Sequence, residues 1–142
     1  MADNFSDYTE TNIVQSTLRG VAFPVPSAVY VALFTADPTD ANLTANEVKA
    51  VNLPAYLRQN AAGAGTIDTG WSAPANGASS NAKVLTFPAN NGVAAITVTH
   101  MALYDASAVG NMLYSAPLVS PKTLQIGDVL SFGIGTLTVT VG

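Results

Sequence analysis

His100 is the only imidazole in the chain, and imidazole is the side chain best suited to move a proton near neutral pH. It lies in the run Ile96-Thr97-Val98-Thr99-His100-Met101-Ala102-Leu103-Tyr104, whose two faces separate at the period of a strand. At that period His100 shares a face with Val98, Ala102 and Tyr104, while Asp105 points to the opposite face. The local sequence thus supplies no carboxylate to orient the ring. No G-x-S-x-G pattern supplies a nucleophile. His100 reads as a packed or edge histidine.

The carboxylates offer as little. Asp37 and Asp40 bracket Pro38 in what reads as a turn, and with Asn42 their oxygens could hold a weak surface Ca²⁺. The spacing lacks the D-x-[DN]-x-[DN]-G pattern and its bidentate glutamate. Gly63 and Gly65 are followed by no Lys-Ser/Thr and open no helix, so they form no phosphate loop. With no cysteine there is neither a disulfide nor a thiolate metal site. Trp71, Tyr56, Tyr104 and Tyr114 could stack on a sugar, but aromatics make up only 8% of the chain and core packing explains their strand positions better. The expectation is a protein that is not an enzyme, with no cofactor and no metal.

Surface construction is where the remaining residues point. Residues 93–142 read as short strands separated by turns: Leu130, Phe132 and Ile134 alternate with small polar residues, as do Leu137, Val139 and Val141. Upstream, residues 28–35 form a strand apolar on both faces, expected to be central and covered on each side. Shorter strands are expected at residues 55–60, 66–72 and 83–87, with loops at 41–54 and 74–81 and a break at Ser120-Pro121. Residues 4–19 are the one helix candidate, with Asp3 or Asn4 as cap, acidic residues early, Arg19 late and Gly20 just past the end. The sum is a single all-β domain: a β-sandwich or jelly roll of about eight or nine short strands over residues 21–142, with an N-terminal helical arm over residues 1–20.

Composition narrows the partners. Only 10% of the 142 residues are charged, against about 25% in ordinary soluble domains. Such a shortage suggests that much of the surface is covered by neighbouring subunits. The net charge of −4 and the scattering of Arg19, Lys49, Arg58, Lys83 and Lys122 exclude a nucleic-acid footprint. No apolar run is long enough for a membrane helix.

In order along the chain, Val29-Tyr30-Val31-Ala32-Leu33-Phe34-Thr35-Ala36-Asp37-Pro38, Asn46-Glu47-Val48, Tyr56-x-Arg58-Gln59, Thr86-Phe87-Pro88-Ala89, Val98-Thr99-His100-Met101-Ala102-Leu103-Tyr104-Asp105-Ala106, Gly110-Asn111-Met112-Leu113-Tyr114, Pro121-Lys122-Thr123 and Gly127-Asp128 form a recognisable set. The set resembles a family of small tailed-bacteriophage virion proteins, often labelled tail fibre proteins and similar to capsid cement or decoration proteins. The chain departs from that pattern at residues 49–54, where Lys-Ala-Val-Asn-Leu-Pro stands in place of glycines. The resemblance implies a structural role on the virion surface and no catalytic residues. The first reading is a capsid decoration protein that bridges major capsid subunits, and the alternative is a tail fibre or baseplate component with receptor binding. Either would be a homo-oligomer made in the host cytoplasm, since the N-terminus lacks a signal peptide. The expected interface comprises Phe5, Tyr8 and Ile13 of the helix, Val48 and Leu53 of the 41–54 loop, and Trp71.

Overall fold

The structure is a computed structural model and describes residues 5–49 and 53–141. The helix, α1 (Asp7–Arg19), is set at both ends by side-chain and backbone chemistry. Ser6 in an extended conformation caps it, its hydroxyl accepting from Thr9 N, and Gly20 ends it in the left-handed region with φ +68°. The cap is therefore Ser6; Asp3 and Asn4, the expected caps, lie outside the described residues. Ser6 also donates its hydroxyl to Met112 O, and Thr9 Oγ1 donates to Leu113 O at 2.9 Å. These two buried hydroxyls fasten the helix to the sheet.

Eight strands follow, all antiparallel where they pair: β1 (Tyr30–Phe34), β2 (Gln59–Asn60), β3 (Ala78–Ser80), β4 (Leu85–Thr86), β5 (Ile96–Tyr104), β6 (Met112–Leu124), β7 (Ser131–Phe132) and β8 (Thr138–Thr140). A four-stranded sheet has the order β2-β1-β5-β6, and two ribbons pair β3 with β8 and β4 with β7. One apolar cluster joins Val31, Leu33, Met101, Leu103 and Leu113 of the sheet to Leu85, Phe132 and Val139 of the ribbons. A smaller cluster of Ala32, Phe34, Ala102, Tyr104 and Met112 occupies the other face. The central strand β1 is thus covered on both sides, as its two apolar faces predict.

Several local expectations change. Residues 66–72 contain a 3-10 turn (Ile67–Thr69) rather than a strand, and Trp71 contributes only an isolated bridge to Asn81. Residues 74–81 hold β3, because Asn76-Gly77 closes a two-residue hairpin with φ of +50° and +75°. The Ser120-Pro121 pair does not end a strand: β6 runs through it, and Pro121 is tolerated because β6 is an edge strand. Ile134 is exposed, since the chain turns at Gly133-Gly135 before the alternation can continue. Between Val98↔Lys122 and His100↔Pro117 the register shifts, leaving residues 118–121 of β6 opposite Thr99 alone. This bulge reverses the faces: Val98 joins the main core with Met101 and Leu103, while Ala102 and Tyr104 belong to the other cluster. Val98 and His100 therefore do not share the face that unbroken alternation assigns them.

Two buried asparagines take the place of charges inside. Asn81 Nδ2 donates to Lys83 O at 2.8 Å and Gly133 O at 2.9 Å, and its Oδ1 accepts from Leu137 N at 2.9 Å. Asn90 Nδ2 donates to Ala94 O and Leu124 O, both at 3.0 Å, and its Oδ1 accepts from Gly92 N at 2.9 Å. Each satisfies loop backbone groups that the short ribbons leave unpaired.

A carboxylate discriminates core from bulge. Leu103→Asp buries an unpaired charge at a site 3% exposed and should abolish cooperative folding, the cost being several kcal/mol. Val119→Asp, on the fully exposed crest of the bulge, should change stability by no more than about 0.5 kcal/mol. Thermal unfolding followed by circular dichroism checks both.

Candidate functional site

Chemistry-bearing side chains meet most densely around Arg58, and there they are engaged largely with one another. Glu47 pairs with Phe34 beyond the end of β2, where Thr35 N donates to Asn46 O at 2.9 Å and Val48 N to Leu33 O at 2.8 Å. Arg58 immediately precedes β2 on the same flank of β1. Their side chains form a two-pronged pair, Arg58 Nε to Glu47 Oε1 and Nη2 to Oε2, each at 2.7 Å. It is the only ion pair among the described residues. Arg58 Nη1 donates to Ala106 O at 3.1 Å and Val109 O at 2.8 Å, inside the turn that joins β5 to β6. The guanidinium carbon lies 3.6 Å from the centre of the Tyr104 ring, a cation–π contact strengthened by burial. Tyr56 donates its hydroxyl to Glu47 Oε1 at 2.9 Å and accepts from Leu33 N at 3.1 Å. Tyr104 donates to Asn42 Oδ1.

Burial raises the Tyr56 phenol far above its ordinary range, with the Glu47 charge adding to the effect. Burial also pushes Tyr104 up to about 12. For Arg58, burial alone would lower the pKa, but the hydrogen bonds and charge of Glu47 outweigh it and hold the guanidinium above its usual value. Four of the five guanidinium N–H groups have acceptors within the cluster, and the side chain is almost fully buried, so its donors are engaged with the protein itself. Its work is architectural.

The fold does bring His100 near Asp37 and Asp40, which the sequence did not reveal. Together with Thr39, Ser115 and Pro117 they line a polar cleft of about 190 Å³. Two of the three are engaged locally: Asp37 Oδ1 accepts from Thr39 N at 2.8 Å, and His100 Nδ1 bonds Thr99 Oγ1 at 2.9 Å. Asp105 takes Asn111 N at 2.7 Å and Asn111 Nδ2 at 2.8 Å, closing its own turn. Among the described residues no three His, Asp or Glu side chains are placed to hold a metal ion.

The six residues expected to form an interface divide. Phe5 bridges Tyr114 with ring centres 5.3 Å apart. Tyr8 and Trp71 pack against the main core while remaining partly exposed, and Ile13 is half-buried. Val48 and Leu53 are only 1% and 2% exposed. They belong to the core and present no surface to a partner: Val48 N bonds Leu33 O of β1, and both side chains pack in the main cluster. Trp71, Tyr114, Leu113, Ala78 and Val139 line an open apolar groove of about 360 Å³ between the sheet and the β3–β8 ribbon. The Trp71 indole N–H is buried without an acceptor among the described residues. A second groove of about 450 Å³ separates Pro117, Val119 and Lys122 of β6 from Leu137, Thr138 and Thr140. These grooves, with exposed apolar residues such as Leu18, Val25 and Val93, are surfaces available for binding.

Comparison with known proteins adds one finding: the family described as Podophage GP4 fiber I protein gp80 matches residues 4–140. No curated protein matches the chain.

Removing one member of the buried pair leaves the other without compensation. Arg58→Ala should lower unfolding free energy by roughly 3–5 kcal/mol, measured by urea denaturation. The phenols give a pH signature. Their folded pKa values lie above the unfolded value of about 10, so the stability from burying them neutral is complete below that pH. It declines as pH rises toward about 12, the value of Tyr104. Phenolate absorbance should show Tyr56 and Tyr104 ionising together with unfolding, and reversible ionisation of either in a protein that stays folded would contradict this assignment.

Proposed function

Because the chain belongs to the podophage GP4 fiber I protein gp80 family, we propose that it is a non-catalytic structural component of a phage fibre, joined to other virion proteins through the Trp71 groove. The span of the family match carries this reading. Residues 4–140 take in the helix, every described strand and all of both grooves except Val141, so the match spans nearly all of the described fold. In this reading the helical arm of residues 1–20 and the β-sandwich of residues 21–142 act as one piece, tied by Ser6 and Thr9. The scarcity of charge and the apolar lining of the groove fit a surface covered by neighbours, including further copies of this chain. Contacts repeated around a symmetric particle can each be modest and still hold, because multivalency multiplies them.

A second reading, a capsid decoration protein bridging major capsid subunits, is favoured by the compactness of the fold. One core links the sheet with both ribbons, and no repeating or extended shaft segment occurs among the described residues. Fibre and decoration roles differ chiefly in copy number.

Quantitative mass spectrometry of purified virions, referenced to the major capsid protein, separates them. A few copies per tail support the fibre role, and a count comparable to the capsid protein transfers the chain to the shell. Absence from the particle overturns both. Val141→Arg, at the partly exposed mouth of the Trp71 groove, should fold normally yet be depleted from particles about tenfold or more, the loss expected when a charge must be desolvated in an apolar contact.

A further inference from the structure

The chain contains two Asn-Gly pairs, Asn76-Gly77 and Asn91-Gly92, and the structure treats them differently. An asparagine side chain is open to attack by the next backbone nitrogen, and a following glycine removes the side chain that would hinder ring closure. Asn76 and Gly77 are the two central residues of the hairpin turn that leads into β3, with φ of +50° and +75°. That turn demands this sequence: both positions need positive φ, and a Cβ on Gly77 would stand 2.6 Å from Val141 O. The reactive pair is thus imposed by the fold. Asn76 is exposed, and among the described residues its amide makes no hydrogen bond and the Gly77 N–H has no acceptor.

Asn91-Gly92 is held at both ends. Asn91 Oδ1 accepts from Ala55 N at 2.9 Å, and Gly92 N donates to Oδ1 of the buried Asn90 at 2.9 Å. The nucleophile is engaged, and the electrophile is tethered to another segment.

We propose that Asn76 is a site of spontaneous deamidation, selected over Asn91 by these hydrogen bonds. The Gly77 nitrogen attacks Asn76 Cγ, the Cγ–Nδ2 bond breaks, and ammonia leaves with the proton from Gly77 N, closing a succinimide. Water then opens the ring. Addition at Cγ regenerates the ordinary main chain with an aspartate, and addition at the α-carbonyl yields isoaspartate, whose main chain runs through Cβ and Cγ. One water is consumed, one ammonia is released, and nothing is oxidised or reduced. Ring closure needs rotation about the Asn76 Cα–C bond, so it proceeds from the opened turn. The turn itself is held by Ala75 N to Ala78 O and Ala78 N to Ala75 O, both 2.9 Å, which is little to break.

The consequences fall on the groove, since Gly77 and Ala78 line it. Either product adds a negative charge at its rim. Isoaspartate also inserts an extra main-chain atom into a two-residue loop, which disturbs the pairing of Ala78 with Thr140.

The test follows both pairs in the full-length protein at mildly alkaline pH, folded and in urea, by peptide mapping with isoaspartyl methyltransferase labelling. In the folded protein Asn76 should convert to aspartyl and isoaspartyl forms at least ~10-fold faster than Asn91, with the two rates converging in urea. An Asn76→Ser variant, which lacks the amide, should show no conversion at that peptide. Equal native rates overturn the selectivity. An Asn76 amide that survives native incubation while the urea sample reacts overturns the site itself.

Discussion

The Arg58–Glu47 pair is the constraint on which the upper half of the molecule depends. Arg58 reaches four acceptors in two separate segments: both oxygens of Glu47, and the carbonyls of Ala106 and Val109 in the β5–β6 turn. It thereby fixes the segment around residue 47 to β1 and both of these to the turn between β5 and β6. The Tyr104 ring beneath it and the Tyr56 hydroxyl beside it complete the enclosure. Buried ion pairs seldom add much net stability over an apolar replacement. What this one supplies is definition, by tying irregular chain to a regular sheet. It also explains Val109, a β-branched residue at φ +56°. That conformation is costly for such a side chain, and the grip of Arg58 on the Val109 carbonyl holds it in place.

Elsewhere the same work is done by neutral groups. Ser6 and Thr9 dock the helix, and Asn81 and Asn90 anchor the ribbons. A chain with few charges can build a defined interior in this way because the side chains of Ser6, Thr9, Asn81 and Asn90 each bond main-chain groups of a separate segment or turn. Short ribbons of two or three residues depend on such stitching, since their own ladders contribute few bonds. This leaves the outer surfaces free of obligations to the fold. The apolar grooves can therefore serve association without the core being compromised.

The sequence made legible whatever depends on neighbours along the chain. The bounds of β5, the double covering of β1 and the Gly20 stop of α1 follow from alternation, apolar runs and glycine chemistry, and the structure bears them out. The bulge opposite Thr99 was hidden, because a period counted along one strand assumes that no residue is inserted in its partner. The hairpin into β3 did carry its Asn-Gly signal, but Ala78-Ser79-Ser80 is too small and polar to read as a strand. Among candidate site residues, Val48 and Leu53 were misplaced because an apolar residue in a loop looks the same whether the loop projects or folds back. Glu47 and Arg58 lay within quoted motifs, yet nothing local tied them together. The available signal was scarcity: among so few charges, two opposite ones flanking a β-rich loop warranted pairing.

The bulge in β6 has a consequence for how the protein survives at high concentration. A long edge strand in a protein with little charge is a template on which other chains can add, the first step toward fibrillar aggregates. Here the first part of that edge is occupied by Phe5 and Ser6, which bond Tyr114 and Leu113. The remainder is broken by Pro117 and Pro121 flanking the exposed Val119 crest. Shape guards this edge together with exposed Lys122, the single charged residue of β6. The part of that protection that comes from shape does not depend on charge, so it persists where salt screens electrostatic repulsion.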